Sequence, residues 1–184
     1  MRIIGGDARG RTIVAPEGNT TRPTADKTRE SLFNILMRRV AGSRVLDLFG
    51  GTGALALEAM SRGAESAVIC DMNPKAIAAI RRNTETVMKD RGGVEIIKAD
   101  YRQALARLAG REYDLIFLDP PYAMTEAYET ATCMIMEEKL LSKDGILLSE
   151  RISEAAPAYA EGLILTDTRV YRDTRVDFLQ VKEQ

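Results

Sequence analysis

Short apolar runs alternate with segments of helical periodicity through most of this 184-residue chain. The runs are nearly continuous, as in strands that are buried on both faces of a parallel sheet. They predict strands at residues 45–48, 66–70, 94–98, 114–118 and 145–149. Helices are predicted between them at residues 54–62, from Asn73-Pro74 onward, at 101–109 and at 125–139. The alternation favours an α/β fold in which helices cover both faces of the sheet.

The last part of the chain breaks this alternation. Residues 163–181 hold two β-rich runs around Arg172-Asp173, with no helical pattern between them. Strands that are joined without a crossover helix pair antiparallel. We therefore expect a mostly parallel, seven-stranded sheet with an antiparallel C-terminal strand.

The first 42 residues are predicted to form a small N-terminal hairpin and helix. Runs of β-like residues at 2–5 and 11–14 flank a glycine-rich loop that carries arginine. Thr24 is a candidate cap for a helix that reaches about Val40. We expect residues 1–42 to be an appendage and residues 43–184 to be the main domain. The predicted buried face of the N-terminal helix consists of Phe33, Leu36, Met37 and Val40.

Charge divides the chain at about the same point. The net charge is −1 overall, but residues 1–40 hold eight basic and four acidic side chains and carry +4. The remainder, with 18 basic and 23 acidic side chains, carries −5. This asymmetry favours a basic arm that binds a polyanion. An ordinary solvated surface, with arginines that bind no partner, would give the same numbers of basic and acidic side chains.

Composition excludes several kinds of chemistry. The chain has no histidine, which excludes a Ser-His-Asp triad, a histidine base and a histidine-bound zinc. Cys70 and Cys133 lack metal-type spacing and are interpreted as buried free thiols. No apolar run approaches the ~20 residues of a membrane span, and the first residues lack the apolar core of a signal peptide. We expect a cytoplasmic protein without a membrane segment or a metal.

The stretch from Asp47 to Gly53 is the centre of the predicted site. It joins a buried strand to a helix through glycines at positions 50, 51 and 53. Glycine lets the backbone approach a ligand closely, and the helix N-terminus offers unpaired N–H groups. This arrangement is typical of a nucleotide-type cofactor site. A tight turn that binds no ligand shows the same pattern.

Four successive predicted strands end on or near an acid: Asp47, Asp71, Asp100 and Asp119. The carboxyl ends of parallel strands meet at one edge of the sheet, where α/β proteins bind their ligands. Asp71 lies 24 residues after Asp47, at a distance typical of an acid that accepts the hydroxyls of a ribose. We therefore expect the four acids to form one site.

The segment Asp119-Pro120-Pro121-Tyr122 distinguishes between two cofactor classes. Residues 51–56 also fit G-x-G-x-x-A, a weak signal for a nicotinamide-dependent dehydrogenase. The prolines lack N–H groups and fix φ, so they hold a rigid loop whose carbonyl groups can face a ligand. Asp119 and such a carbonyl can accept both hydrogens of an exocyclic amine, while Tyr122 stacks on the base. These acceptors favour methylation of an amine, which needs no strong base.

Together these segments resemble class I S-adenosylmethionine-dependent methyltransferases of the D/N-P-P-Y kind. More narrowly, the chain resembles the RsmD family, which methylates the N2 amine of a guanine in small-subunit ribosomal RNA. The N-terminal segments are the specific part, because the glycine loop and the DPPY motif recur in many methyltransferases. The resemblance implies a Rossmann-like fold, S-adenosyl-L-methionine as cofactor, and small-subunit ribosomal RNA or the assembled small subunit as partner. Its segments are residues 2–6, 9–11, 21–24, 29–34, 47–53 and 118–122.

The resemblance also implies roles for individual residues. Asp71 would bind the ribose of the cofactor and Asp100 its adenine amine, with Tyr101 beside it. The loop that would hold the methionine part comprises Asp47, near the amino group, with Phe49, Gly50, Gly51 and Gly53.

For the substrate, Asp119, Pro120 and Tyr122 would hold the flipped-out guanine as catalytic residues, with Asp119 also bordering the cofactor. The residues that would contact RNA are Arg9, Arg11 and Arg22.

The chain departs from the usual family pattern at three positions. Gly50 stands where alanine is common, Thr52 where serine is common, and Asp71 where glutamate is common. A DNA adenine-N6 methyltransferase with the same chemistry is the main alternative; the small size and the lack of a separate target-recognition domain argue against it. A non-catalytic RNA-binding protein is another alternative, and the intact Asp119 and Tyr122 argue against it.

Overall fold

The computed structural model describes residues 1–16, 26–89, 91–152, 157–172 and 174–182. Its helices are α1 (Asp26–Val40), α2 (Ala54–Ser61), α3 (Pro74–Met88), α4 (Tyr101–Arg107) and α5 (Glu126–Glu137). Its strands are β1 (Arg44–Asp47), β2 (Ser66–Asp71), β3 (Val94–Lys98), β4 (Tyr113–Leu118), β5 (Leu141–Arg151), β6 (Leu163–Tyr171) and β7 (Thr174–Val181).

The strands form one seven-stranded sheet in the order β3-β2-β1-β4-β5-β7-β6. Strands β1 to β5 pair parallel, whereas β7 runs antiparallel to both β5 and β6. This confirms the predicted α/β sheet and its antiparallel C-terminal strand. The strand order reverses between β1 and β4, and such a switch point opens a crevice at the carboxyl ends of the strands.

Strand alternation divides the core into two layers. Val45, Phe117 and Leu148 face one side of the sheet and pack with buried residues of α1, α2 and α3. Leu46 and Leu118 face the other side and pack with α4 and α5. Successive side chains of a strand point to opposite faces of the sheet, so the face of a residue at a strand end follows from the residues before it.

The N-terminal segment packs onto the sheet domain. The predicted hairpin has an antiparallel bridge between Arg2 and Thr12. Ile3, Ala8 and Ile13 are buried in the core layer that also contains α1, α2 and α3. Backbone hydrogen bonds on either side of this bridge retain the predicted hairpin, and hydrogen bonds to α2 hold the segment on the sheet domain.

The buried face of α1 differs from the prediction at one position. Phe33, Leu36 and Val40 are buried, but Met37 is 67% exposed. The buried face extends instead towards the N-terminus through Leu32 and the fully buried Arg29. The period of apolar residues cannot predict a buried arginine, because it does not show the acidic partners that the side chain meets there.

Strand β5 begins at Leu141, four residues before the predicted start. Its polar segment around Gly145 has the composition of a turn, but Leu141 pairs with Tyr113 of β4 and a register shift accommodates the irregularity. Cys70 is buried and Cys133 is partly buried, and both are free thiols. Among the described residues, no helix has the length and apolar character needed to cross a membrane.

Candidate active site

A cleft of about 440 Å³ opens at the carboxyl ends of β1, β2 and β4. This volume falls within the range of roughly 300–1,000 Å³ that is usual for small-molecule sites. The cleft brings together Asp71, Asp100 and Asp119 from different strand ends, as the sequence predicted. The residues that line it are Pro16, Leu48, Phe49, Gly51, Asp71, Met72, Asn73, Ala76, Ala99, Asp100, Tyr101, Asp119, Pro120, Pro121, Tyr122 and Met124.

The glycine turn between β1 and α2 presents backbone to this cleft. Gly51 lines the cleft with φ +55°, and Gly53 precedes α2 with φ +75°, a conformation that favours glycine at both positions. Gly50 lies behind the turn, where its N–H donates to the carbonyl of Cys70 at 2.8 Å. A Cβ atom on Gly50 would lie 2.4 Å from Cγ2 of Ile69. A side chain at position 50 would therefore collide with Ile69, which favours glycine there.

Asp71 is held against the glycine turn by two backbone groups. Its Oδ2 accepts the N–H of Gly51 at 2.9 Å, and its Oδ1 accepts the N–H of Asn73 at 2.8 Å. A carboxylate has about four acceptor positions, so both oxygens can still accept hydroxyl groups from a ligand. These bonds fix the carboxylate at the wall of the cleft and couple its position to that of the turn.

The neighbouring part of the wall is formed around Asp100 and Tyr101, at the start of α4. Asp100 caps the helix, because its Oδ1 accepts the N–H of Arg102 at 2.9 Å. The ring of Tyr101 lies 5.4 Å from that of Phe49 between centroids, and the Arg102 guanidinium carbon lies 4.6 Å from the Tyr101 ring centroid. The Tyr101 hydroxyl is buried and has no hydrogen-bond partner among the described residues. An orphaned buried hydroxyl beside the cleft fits a polar ligand.

Asp47 is close to the site but does not line the cleft. Its side chain is only 3% exposed, beneath the glycine turn. Burial, followed by the negative charge of Asp71, raises the pKa of Asp47 to about 7, although hydrogen bonds from the backbone of Phe49 and Ala56 oppose the shift. The structure thus places three of the four predicted acids in the cleft wall and the fourth behind them.

The Asp119-Pro120-Pro121-Tyr122 loop forms the outer rim of the cleft. Pro120 is buried, whereas Tyr122 is 48% exposed. The carbonyl of Pro121 accepts the N–H of Met124 at 2.8 Å, so it stabilises the loop itself. Asp119 keeps part of its surface in the cleft, but the protein surrounds its carboxyl group. This desolvation, with the nearby charges of Glu150 and Asp47, raises the pKa of Asp119 well above its usual value.

Asn83 of α3, which no sequence motif singles out, connects the N-terminal segment to the glycine turn. Its Oδ1 accepts the N–H of Val14 at 2.9 Å. Its Nδ2 donates to the carbonyls of Val14 and Thr52, at 2.9 and 2.8 Å. The side chain is fully buried. In the sequence, a structural role for Asn83 is indicated only by its position as a polar residue within the apolar stripe of α3 that is formed by Ile77, Ile80 and Val87.

The three arginines predicted to contact RNA have different environments. Arg9 is exposed. Arg11 is partly exposed, and its guanidinium donates to the carbonyls of Thr86 and Val87 at the C-terminal end of α3. Arg22 and the candidate helix cap Thr24 lie outside the described residues.

A second cleft, of about 920 Å³, lies at the opposite, amino-terminal edge of the sheet. None of the predicted site residues line it. Its arginines are paired, Arg44 with Asp114 and Arg111 with Glu95. Despite its larger volume, this cleft lacks the glycine turn and the converging acids of the smaller one. No group of acidic or cysteine side chains in the described ranges is placed to hold a metal ion.

Comparison with solved structures defines the class of protein. The Escherichia coli protein yhhF superposes with a TM-score of 0.86 at 29% sequence identity, covering 100% of this chain and 99% of that one. SMU.776, solved with SAH bound, has the same fold, with a TM-score of 0.68 at 19% identity over 83% of this chain and 49% of that one. The fold is that of a Rossmann-like methyltransferase.

Sequence comparison gives the family. Residues 1–180 match the family described as conserved hypothetical protein 95. Bacillus subtilis YlbH is 37% identical over 179 residues, which cover 96% of each chain. The Escherichia coli K12 protein named ribosomal RNA small subunit methyltransferase D is 32% identical over 163 residues, 89% of this chain and 77% of that one. The chain belongs to the RsmD family of methyltransferases.

Proposed function

We propose that this protein transfers a methyl group from S-adenosyl-L-methionine to the exocyclic N2 amine of a guanine in small-subunit ribosomal RNA. The observation that carries the proposal is that one cleft joins Asp71 and Asp100 to the Asp119–Tyr122 loop. The first two fit an adenosyl group, and the loop fits a planar base that bears an amine. The names of the relatives support ribosomal RNA as the substrate. The proposal retains the cytoplasmic location expected from the sequence.

The residues of the cleft fit the cofactor. The oxygens of Asp71 are suited to the ribose hydroxyls, Asp100 to the adenine amine, and the backbone of the Asp47–Gly53 loop to the methionine part. The orphaned hydroxyl of Tyr101 adds a polar group that is buried beside the cleft. When bound, the cofactor supplies an electrophilic methyl group on a positively charged sulfur.

The rim residues hold the acceptor base. Asp119 and the carbonyl of Pro120 accept the two amine hydrogens, which directs the nitrogen lone pair away from the loop. The same acceptors stabilise the positive charge that develops on the nitrogen, and they need no reorganisation to do so. Tyr122, half-exposed at the rim, stacks on a base that has left its helix. This chemistry requires no histidine.

Transfer of tritiated methyl groups tests the proposal. Small ribosomal subunits, free small-subunit RNA and duplex DNA are offered in parallel with labelled cofactor, and the products are digested to nucleosides. We expect label in N2-methylguanosine. Label in N6-methyladenine of DNA would support the alternative substrate, because the loop also fits adenine. Failure to label any of the three acceptors would contradict the proposed substrate.

The environments of Arg9 and Arg11 predict separable effects on RNA binding and stability. We expect Arg9→Ala to reduce the slope of log affinity against log salt by about 0.7 to 0.9, the value of one lost phosphate contact. The melting temperature should not change, because Arg9 is exposed. Arg11→Ala should lower the melting temperature, because it removes two hydrogen bonds to the end of α3.

The matched control is Arg107→Ala, which removes an exposed arginine from α4 on the other face of the sheet. It should change neither the salt slope nor the melting temperature. A salt slope for Arg9→Ala equal to that of the control would show that Arg9 does not contact phosphate.

A further inference from the structure

Two acids lie side by side where β4 and β5 end. The parallel register pairs Leu118 with Ser149, and an acid follows each of them, Asp119 directly after β4 and Glu150 within β5. Neighbouring strands lie about 4.8 Å apart. The side chains of these acids therefore start from adjacent positions at the carboxyl edge of the sheet.

The two acids also share one face of the sheet. Phe117 and Leu148, two positions earlier on their strands, both pack in the layer of α1, α2 and α3. With a strand period of two, Glu150 follows onto that face, and Asp119, the first residue after β4, leaves the strand from the same side. Both side chains are partly exposed.

The backbone of Glu150 is fixed by its surroundings. The hydroxyl of Tyr128 on α5 donates to the carbonyl of Glu150 at 3.0 Å. The next residue, Arg151, is buried and pairs with Asp177 at 2.6 Å. Because neighbouring residues of a strand point to opposite faces, this buried pair holds Glu150 on the face that it shares with Asp119.

Two neighbouring carboxylates in a partly buried site repel one another. The charge of Glu150 contributes to the raised pKa of Asp119. Such an arrangement is costly unless hydrogen-bond donors compensate both groups. A ligand that carries two adjacent donors would add such compensation at both acids.

We propose that Glu150 is a specificity-determining residue that accepts the N1–H of the target guanine while Asp119 accepts a hydrogen of its N2 amine. This inference rests on the proposed function, since it names the group that selects the base. Guanine carries N1–H and the N2 amine side by side on one edge, and two adjacent carboxylates match two adjacent donors. Glu150 has other contacts, but a carboxylate offers about four acceptor positions, so it can accept one more donor.

The same pair of carboxylates rejects adenine, because adenine lacks the second donor. Its N1 carries a lone pair beside the amine, and a lone pair that faces a carboxylate is repelled and leaves that carboxylate unpaired. Sites that are built to hydrogen-bond a substrate donor reject analogues that lack it most strongly. The DPPY loop alone cannot make this distinction, because its acceptors contact only the amine and its tyrosine stacks on either base.

The test uses RNA in which the target guanosine is replaced by 2-aminopurine riboside. That base keeps the amine at position 2 but has a lone pair at N1. We expect the wild-type enzyme to methylate guanosine far faster than 2-aminopurine. Glu150→Gln should lower transfer to guanosine by about 10- to 100-fold, and the guanosine-to-2-aminopurine rate ratio by at least about tenfold. The glutamine amide can donate to the N1 lone pair, whereas the glutamate cannot.

Two further variants control the experiment. Glu138→Gln removes an exposed carboxylate at the opposite edge of the sheet and should leave both rates unchanged. Glu150→Asp keeps the charge, so it should slow transfer but retain the preference for guanosine. The melting temperature of Glu150→Gln, measured alongside, reports what the other contacts of Glu150 contribute to the fold. This readout does not depend on activity.

The outcomes separate the two proposals. Wild-type transfer to guanosine with an unchanged rate ratio in Glu150→Gln would overturn the role of Glu150 and leave the proposed function intact. A lower melting temperature with an unchanged ratio would show that Glu150 is structural only. If the wild-type enzyme transfers nothing to guanosine, the proposed function fails, and the role of Glu150 fails with it.

Discussion

Replacing Asp119 with alanine is expected to reduce methyl transfer by about a hundred- to a thousandfold, the usual cost of losing one preorganised charge-stabilising group. Asp119 lines the cleft at the DPPY rim, where the acceptor amine is proposed to bind. Without its carboxylate, the amine loses an acceptor that orients its lone pair and stabilises the developing positive charge. Cofactor affinity should change little, because Asp71 and Asp100 remain in place.

Asp119→Asn is the matched control for this prediction. The amide oxygen can still accept one amine hydrogen, so we expect an intermediate rate. Its melting temperature at pH 8 should be higher than that of wild type, because burial and the charges of Glu150 and Asp47 disfavour the ionised Asp119 carboxylate. The measurements are single-turnover transfer, cofactor titration and thermal unfolding. Full activity in Asp119→Ala would exclude the assigned role.

Replacing Glu58 with glutamine is expected to lower the free energy of unfolding by about 3–5 kcal/mol, as when one partner of a buried ion pair is removed. The Glu58 side chain is completely buried on α2 and lies 3.5 Å from Arg29 and 2.8 Å from Arg62. It also accepts the N–H groups of Ile4 and Gly5, both at 2.8 Å. The substitution keeps the shape of the side chain but removes the buried one of the two carboxylates that pair with the fully buried Arg29; the other, Asp26 at 3.0 Å, is partly exposed.

Urea denaturation measures this effect, and Glu112→Gln is the control. Glu112 also pairs with an arginine, Arg44 at 3.3 Å, but the pair is exposed and should contribute no more than about 1 kcal/mol. Equal losses in the two variants would contradict the importance of the buried network. Protease cleavage within the first 16 residues should increase in Glu58→Gln, because those residues are docked on this carboxylate.

The Glu58 network has a consequence for the proposed RNA contacts. It anchors Ile4 and Gly5, and the buried Ser61 anchors Gly5 and Ala8, so the loop that carries Arg9 has a fixed base on α2. At the other end, Asn83 holds Val14, two residues before Pro16 enters the cleft wall. The N-terminal segment is therefore part of the framework of the site, and of its two arginines that are proposed to contact RNA, Arg9 is exposed and Arg11 supports α3.

Much of the candidate site could be predicted because it depends on local rules. A buried strand followed by Gly50, Gly51 and Gly53 specifies a tight turn into a helix. Parallel strands place their carboxyl ends at one edge, so Asp71, Asp100 and Asp119 had to meet. The rigid Pro120-Pro121 pair places Tyr122 at the rim. Each inference needs only the strand period, the helix start and the parallel connection.

Other features could not be predicted because they depend on contacts between distant segments. Met37 fits the apolar period of α1 but is exposed, and Arg29 is buried because it meets Glu58 from another helix. Asp47 shares the strand-end pattern but lies behind the turn. Asn83 has the local pattern of an ordinary helix residue, and its hydrogen-bond partners, Val14 and Thr52, come from distant segments.

The sequence by itself determined the α/β class, the glycine turn and the edge at which the acids gather, because hydrophobic period and strand direction are properties of the chain. Only the tertiary structure decided which carboxylates face the cleft, which arginines remain exposed, and that Glu150 stands beside Asp119. The physical reason is that the exposure and charge of a polar group depend on the neighbours that packing brings to it. Those neighbours, such as Arg29 for Glu58, come from parts of the chain that no local pattern connects.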